Sequence, residues 1–151
     1  MIGLLQRVRR ASVEVGGETI ASIGQGLLVL VGVERGDTEA QAGRLLERLL
    51  GYRVFEDAER RMNRSLRDIN GGLLLVPQFT LAADTEKGTR ASFTTAAEPE
   101  RARALFLHLL DCARDTWTLT RSGRFGADMQ VSLVNDGPVT FWLRAPPPKV
   151  G

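Results

Sequence analysis

The sequence has one cysteine, one histidine and one tyrosine among 151 residues, and each scarcity removes a class of chemistry. A single cysteine excludes an intramolecular disulfide and any metal site built from several thiolates. A single histidine leaves no recognised ligand spacing, so no metal and no cofactor are expected. Charge of one sign is missing too. Twenty basic residues against eighteen acidic ones give a net charge of only +2, too small a field to point to a polyanionic partner. The pI of about 9.2 is compatible with RNA binding but does not argue for it. No apolar run approaches the eighteen residues of a membrane span. The longest, Gly26 to Val33, is strand-sized, so no membrane partner is expected. Arg7, Arg9 and Arg10 follow too short an apolar start for a secretory signal, and the expected location is the cytoplasm. Gly123-Arg124-Phe125-Gly126 lacks the glycine spacing and lysine of a phosphate-binding P-loop.

What is present is one domain's worth of periodic structure, with 43% hydrophobic residues to fill a core. Ser12-Val13-Glu14-Val15 alternates as a strand, and Gly16-Gly17 signals a hairpin into residues 18–23. Residues 27–33 lack polar alternation, which predicts a central strand covered on both faces. Thr38 and Gln41 have capping-box spacing, ahead of an apolar stripe at Ala42, Leu45, Leu46, Leu49 and Leu50. Gly51 ends this helix, and Tyr52–Phe55 should leave as a strand. In the polar segment 56–71, Met62 and Leu66 are the expected anchors. A strand over Leu73–Leu81 and a surface loop over 82–92 follow. Pro99 suits the first turn of a second helix, with Ala102, Leu105, Phe106, Leu109, Leu110 and Ala113 inward. Residues 117–120, 125–134 and 139–143 complete the strands. The fold class is α+β: a strongly curved, barrel-like mixed β-sheet with two main helices packed outside. Residues 1–145 form a single domain, and 146–151 a proline-rich tail.

Candidate reactive groups are few. His108 and Cys112 lie four apart on the second helix, close enough to meet, although a cysteine in a packed helix commonly serves as a small hydrophobe. Asp84, Asp128 and Asp136 are scattered and suit turns and caps. Thr80 is a hydroxyl without a base in view, a weak nucleophile at neutral pH. Asn135-Asp136-Gly137-Pro138-Val139-Thr140 separates two apolar runs. Asp-Gly there signals a hairpin turn, while a Gly-Pro corner would instead free backbone carbonyls to face a ligand.

Two ordered motifs, Leu73-Leu74-Leu75-Val76-Pro77-Gln78-Phe79-Thr80-Leu81 and residues 123–140, closely resemble those of the D-aminoacyl-tRNA deacylase family. Leu5-Gln6-Arg7-Val8, Gly32-Val33-Glu34, Leu50-Gly51-Tyr52-Arg53-Val54-Phe55, Met62-Asn63 and Ala82-Ala83-Asp84-Thr85 share the likeness, which spans residues 1–144. The resemblance implies hydrolysis of the ester of D-aminoacyl-tRNA, and of mischarged glycyl-tRNA, by a homodimer. The substrate's own ribose 2′-hydroxyl would assist water, so no catalytic triad is required. It implies that Gln78, Phe79 and Thr80 line the ester pocket as the catalytic set. Phe125 and Met129 would flank the terminal adenine. Gly137-Pro138, as a cis peptide, would enter the partner subunit's pocket and exclude L side chains. Arg7, grouped with the substrate-binding residues, would brace that corner. Two departures stand out: Pro77 replaces the family's usual serine, and Ala91 replaces a common proline. The rival readings are a non-catalytic nucleic-acid-binding module using Phe79, Phe125 and surface arginines, and a Cys112–His108 hydrolase.

Overall fold

The computed structural model describes residues 1–149. Along the chain lie β1 (Ile2–Val15), β2 (Glu18–Ile23), β3 (Gly26–Gly32), α1 (Glu39–Gly51), β4 (Phe55–Glu56), β5 (Met62–Arg64) and α2 (Leu66–Ile69). Then come β6 (Gly72–Pro77), a 3-10 turn over Phe79–Ala82, α3 (Pro99–Thr116), β7 (Thr120–Ser122) and β8 (Gln130–Arg144).

The long β1 organises the sheet. One of its edges is shared: residues 2–8 pair antiparallel with β3, and residues 11–15 pair with β2. Its other edge belongs to β8 over nearly its whole length. The β1–β2 hairpin closes through Gly16 and Gly17, both at positive φ (58° and 82°), where a two-residue turn needs residues without a Cβ. Beyond β3 the ladder turns parallel, β3 to β6 and β6 to β7. The sheet curls until Ile23 of β2 lies over Gly72 of β6, giving the barrel-like form expected.

The unbroken apolar run of β3 has a direct cause. Leu27, Val29 and Val31 face a core shared with both long helices, while Leu28 faces a second core inside the curl with Val8, Val13, Leu74 and Val76. α1 is closed by the Thr38–Gln41 capping box and buries all five residues of its stripe. Each buried leucine contributes about 1.5–3 kcal/mol. α3 starts at Pro99 and buries its six expected residues.

Several expectations are corrected. Met62 is 46% exposed and anchors nothing, while Leu66 is fully buried. What orders that segment is a second capping box, Ser65 with Asp68, at the start of α2. Of the expected 52–55 strand only Phe55 is in a strand, β4, which runs on to Glu56. The strand from Leu73 stops at Pro77, and residues 79–82 coil into the 3-10 turn. Trp117 caps α3, so β7 begins at Thr120, and β8 begins at Gln130 rather than Phe125. The Pro146 carbonyl accepts a bond from Gln41 Nε2 at 3.4 Å; the last two residues of the expected tail lie outside the described residues.

At residues 135–140 the chain forms the Gly-Pro corner and not the alternative hairpin, and the two strands expected on either side are one strand. β8 runs through them, and both of its halves pair with the same strand, Val134 with Arg10, Asn135 with Val8, and Thr140 with Gln6. Residues 136–139 therefore stand opposite Arg7 alone and are pushed out of the ladder. The Gly137–Pro138 peptide is cis.

Candidate active site

A cavity of about 670 Å³ opens where the parallel strands β3 and β6 end. Carboxyl ends of parallel strands are where side chains and loops can converge without being consumed by the ladder. Its floor is Val31, Val76 and Pro77. Pro77 pairs with Val31 at the last rung, and its Cδ points toward Gly123, one residue past the end of β7. A proline is tolerated there because the missing N–H would have had no strand partner. One residue on, the Gln78 N–H donates to the Val31 carbonyl at 2.7 Å and turns the chain into the 3-10 helix. The first internal bond of that turn is Leu81 N–H to Gln78 O, so the N–H groups of Phe79 and Thr80 have no acceptor within it.

Aromatic rings form the walls. Phe79 is 61% exposed at the rim and packs against Phe93, with ring centroids 5.3 Å apart and the planes tilted by 39°. Phe125 lies across the cavity against Phe106 at 6.2 Å, with Met129 beside it. The Phe93–Ala97 segment is pinned from two sides. Thr95 Oγ1 donates to the Ala82 carbonyl at 2.6 Å, and Ala97 N–H donates to Val33 O at 3.0 Å. Thr80 does not line the cavity; its exposed hydroxyl accepts from Gln78 Nε2 at 2.6 Å.

The excursion at residues 136–139 lies elsewhere and lines none of this cavity. Arg7, only 7% exposed, holds its base: Nε donates to Asp136 O at 3.0 Å and Nη1 to Val54 O at 2.7 Å. Asn135 staples it from inside, accepting from Val139 N–H at 2.9 Å and donating to Thr140 Oγ1 at 2.8 Å. Gly137 sits at φ +132°, and a Cβ there would lie 2.8 Å from Val139 Cγ2 and 3.0 Å from Arg7 Nη2.

Residues 4–144 match the family model described as D-Tyr-tRNA(Tyr) deacylase. The chain belongs to this deacylase family. It is 68% identical to a D-aminoacyl-tRNA deacylase of Thioalkalivibrio sulfidiphilus over 99% of this chain and 100% of that one. Among solved structures, the c-Myc DNA Unwinding Element Binding Protein superposes with a TM-score of 0.92 at 40% identity, covering 97% of this chain and 99% of the other. A probable eukaryotic D-amino acid tRNA deacylase shares the fold with a TM-score of 0.79 at 18% identity, covering 94% and 97%.

Of the residues that the deacylase resemblance pointed to, Gln78, Phe79, Phe125 and Met129 converge on the cavity. Thr80 touches it only through Gln78, and Arg7, Gly137 and Pro138 form the separate corner. Sequence reasoning missed Phe93, Phe106 as a wall residue, and Asn135 as the staple. An aromatic ring isolated in a polar loop was the available signal for Phe93. His108 Nε2 and Cys112 Sγ do meet, at 3.6 Å. They do so on α3 with neither residue lining the cavity described above. Asp84, Asp128 and Asp136 do not converge. Asp84 accepts from Glu86 N–H, Asp136 faces Arg7 and Arg9, and among the described residues no three His, Cys, Asp or Glu side chains gather.

Proposed function

We propose that the protein hydrolyses the ester linking a D-amino acid to the 3′ end of tRNA, releasing free D-amino acid and tRNA, and that it acts on glycyl-tRNA as well. Membership of the deacylase family over nearly the whole chain carries this conclusion. The aromatic walls suit a terminal adenosine, since base–aromatic stacking contributes about 1–3 kcal/mol per base. The Phe79 and Thr80 N–H groups are the available donors for the oxyanion that develops when water adds to the ester carbonyl. The neighbouring ribose 2′-hydroxyl takes part in proton transfer as the 3′-oxygen leaves. Orientation and backbone electrostatics then replace a nucleophilic side chain.

Selection against L-amino acids comes in this proposal from Gly137–Pro138 of the partner subunit in a homodimer. The excursion leaves its own chain's cavity untouched yet is braced by Arg7 and Asn135, as an element that rejects by steric exclusion must be. Dimerisation is supported by β8. One edge of this long strand is paired with no described strand, and Trp142 on it is 55% exposed. Among the described residues no helix is long and apolar enough to cross a membrane, and work on tRNA assigns the protein to the cytoplasm.

A second reading, nucleic-acid binding without catalysis, is favoured by the likeness to the c-Myc DNA Unwinding Element Binding Protein. Matched D- and L-aminoacyl-tRNA separate the two. Expected are release of the D-amino acid, sparing of the L form, and Thr80→Ala retaining most of the rate, because its hydroxyl is already engaged by Gln78. Equal hydrolysis of both enantiomers overturns the selection mechanism. Binding of RNA without hydrolysis of either overturns the enzyme.

A further inference from the structure

Beside the main cavity is a second hollow of about 290 Å³, and the two share the rings of Phe106 and Phe125 as a common wall. Three arginines line it: Arg103 and Arg114 from α3, and Arg124 from the turn after β7. All three are exposed, and among the described residues none is ion-paired. Other arginines, among them Arg10, Arg53 and Arg90, are likewise without an ion pair among the described residues; what sets these three apart is that they line one hollow. In a chain of net charge +2, three uncompensated guanidinium groups around one hollow are a local field that the overall composition conceals.

We propose that this hollow takes the phosphodiester groups of the single-stranded RNA immediately preceding the terminal nucleoside. The inference rests on the function proposed above, in which the terminal adenosine and its ester occupy the larger cavity. An RNA strand leaving that cavity past Phe125 enters the arginine-lined hollow directly. Guanidinium groups present donors in a fork that matches phosphate oxygens. Leu107 and Ile20 form an apolar rim against which a ribose or base can rest. Arg103, Leu107 and Arg114 are spaced so that one face of α3 tracks a strand rather than gripping a single ion. The hollow thus supplies affinity for the RNA and no chemistry.

The test compares two substrates, D-aminoacyl-tRNA and a D-aminoacyl-adenosine that carries no phosphate. In the triple variant Arg103→Gln/Arg114→Gln/Arg124→Gln, KM for the tRNA should rise at least about tenfold with kcat nearly unchanged. Turnover of the adenosine ester should match the parent. Loss of three phosphate contacts should also flatten the dependence of log(kcat/KM) on log salt by about 2, at about 0.7 per single-strand contact. The single variants should each show part of the effect. An unchanged KM and salt slope for tRNA overturns the proposal, and so does equal loss on both substrates in the single variants. If the parent protein hydrolyses neither substrate, it is the deacylase function that fails, which is a distinguishable result.

Discussion

Arg7 shows how much one residue's role depends on where its strand is interrupted. In the sequence it is one of three arginines in four positions, and alternation would send a strand charge to solvent. It is buried instead because four residues of β8 stand opposite it and leave room for a guanidinium under the excursion. Its partners are two carbonyls, Val54 O and Asp136 O, and the Asp136 carboxylate lies at 3.8 Å. Arg7→Gln shortens the reach and orphans at least the Val54 carbonyl, costing about 1–3 kcal/mol. A lower urea midpoint should therefore appear. With the base of the corner loosened, hydrolysis of L-aminoacyl-tRNA should rise relative to the D form. A destabilised variant with an unchanged ratio of D to L rates would show that the corner needs no such brace.

At the scale of elements, what was legible in the sequence was whatever local pattern decides alone. The stripes of α1 and α3, their Thr38 and Pro99 starts and the Gly16-Gly17 turn depend on neighbours within one or two turns of chain, and they fold as read. Residues 135–140 were not decidable in that way. Asp-Gly-Pro between two strands has the same local chemistry in a hairpin and in an excursion, and only the pairing of both halves with β1 distinguishes them. The cavity was half legible for the same reason. Gln78, Phe79, Phe125 and Met129 lie in ordered motifs, while Phe93 joins them through long-range bonds of its loop to Val33 and Ala82.

Pro77 belongs to this scale because it marks where β6 becomes cavity wall. Its ring sits at the last rung facing Gly123, where no strand acceptor remains. The following Gln78 N–H resumes bonding to Val31 O. Pro77→Ser would supply an N–H with no ladder partner and restore freedom to the unfolded chain, at a cost of about 0.4–1 kcal/mol. Turnover of D-aminoacyl-tRNA should stay similar or fall slightly, since the proposed chemistry uses backbone donors one and two residues beyond the wall. A tenfold gain, about 1.4 kcal/mol of barrier, would show instead that a hydroxyl at this position contacts the substrate and that the chain carries a weakened site.

For the whole molecule, the separation of cavity and corner is the fact to be explained. A braced corner that touches nothing in its own chain's cavity makes sense if symmetry delivers it to another copy, as an isologous two-fold interface along β8 would do. Two defects placed in different chains test this. Gly137→Val imposes a side chain at φ +132°, where the Cβ alone already meets Val139 and Arg7, and so deforms the corner while leaving that chain's cavity intact. Ala97→Phe fills the cavity and leaves that chain's corner intact. Each variant alone should lose D-aminoacyl-tRNA hydrolysis, Ala97→Phe by filling its own cavity and Gly137→Val because its displaced, bulkier corner obstructs the partner's cavity instead of merely loosening. Mixed in equal amounts and allowed to exchange subunits, half the dimers become mixed, each with one sound pairing of cavity and corner. Activity should then return to about a quarter of the parent's, and sedimentation should show dimers throughout. If each subunit instead works with its own corner, no mixture of the two variants can recover any activity, and the deacylase would have to discriminate by residues within a single chain.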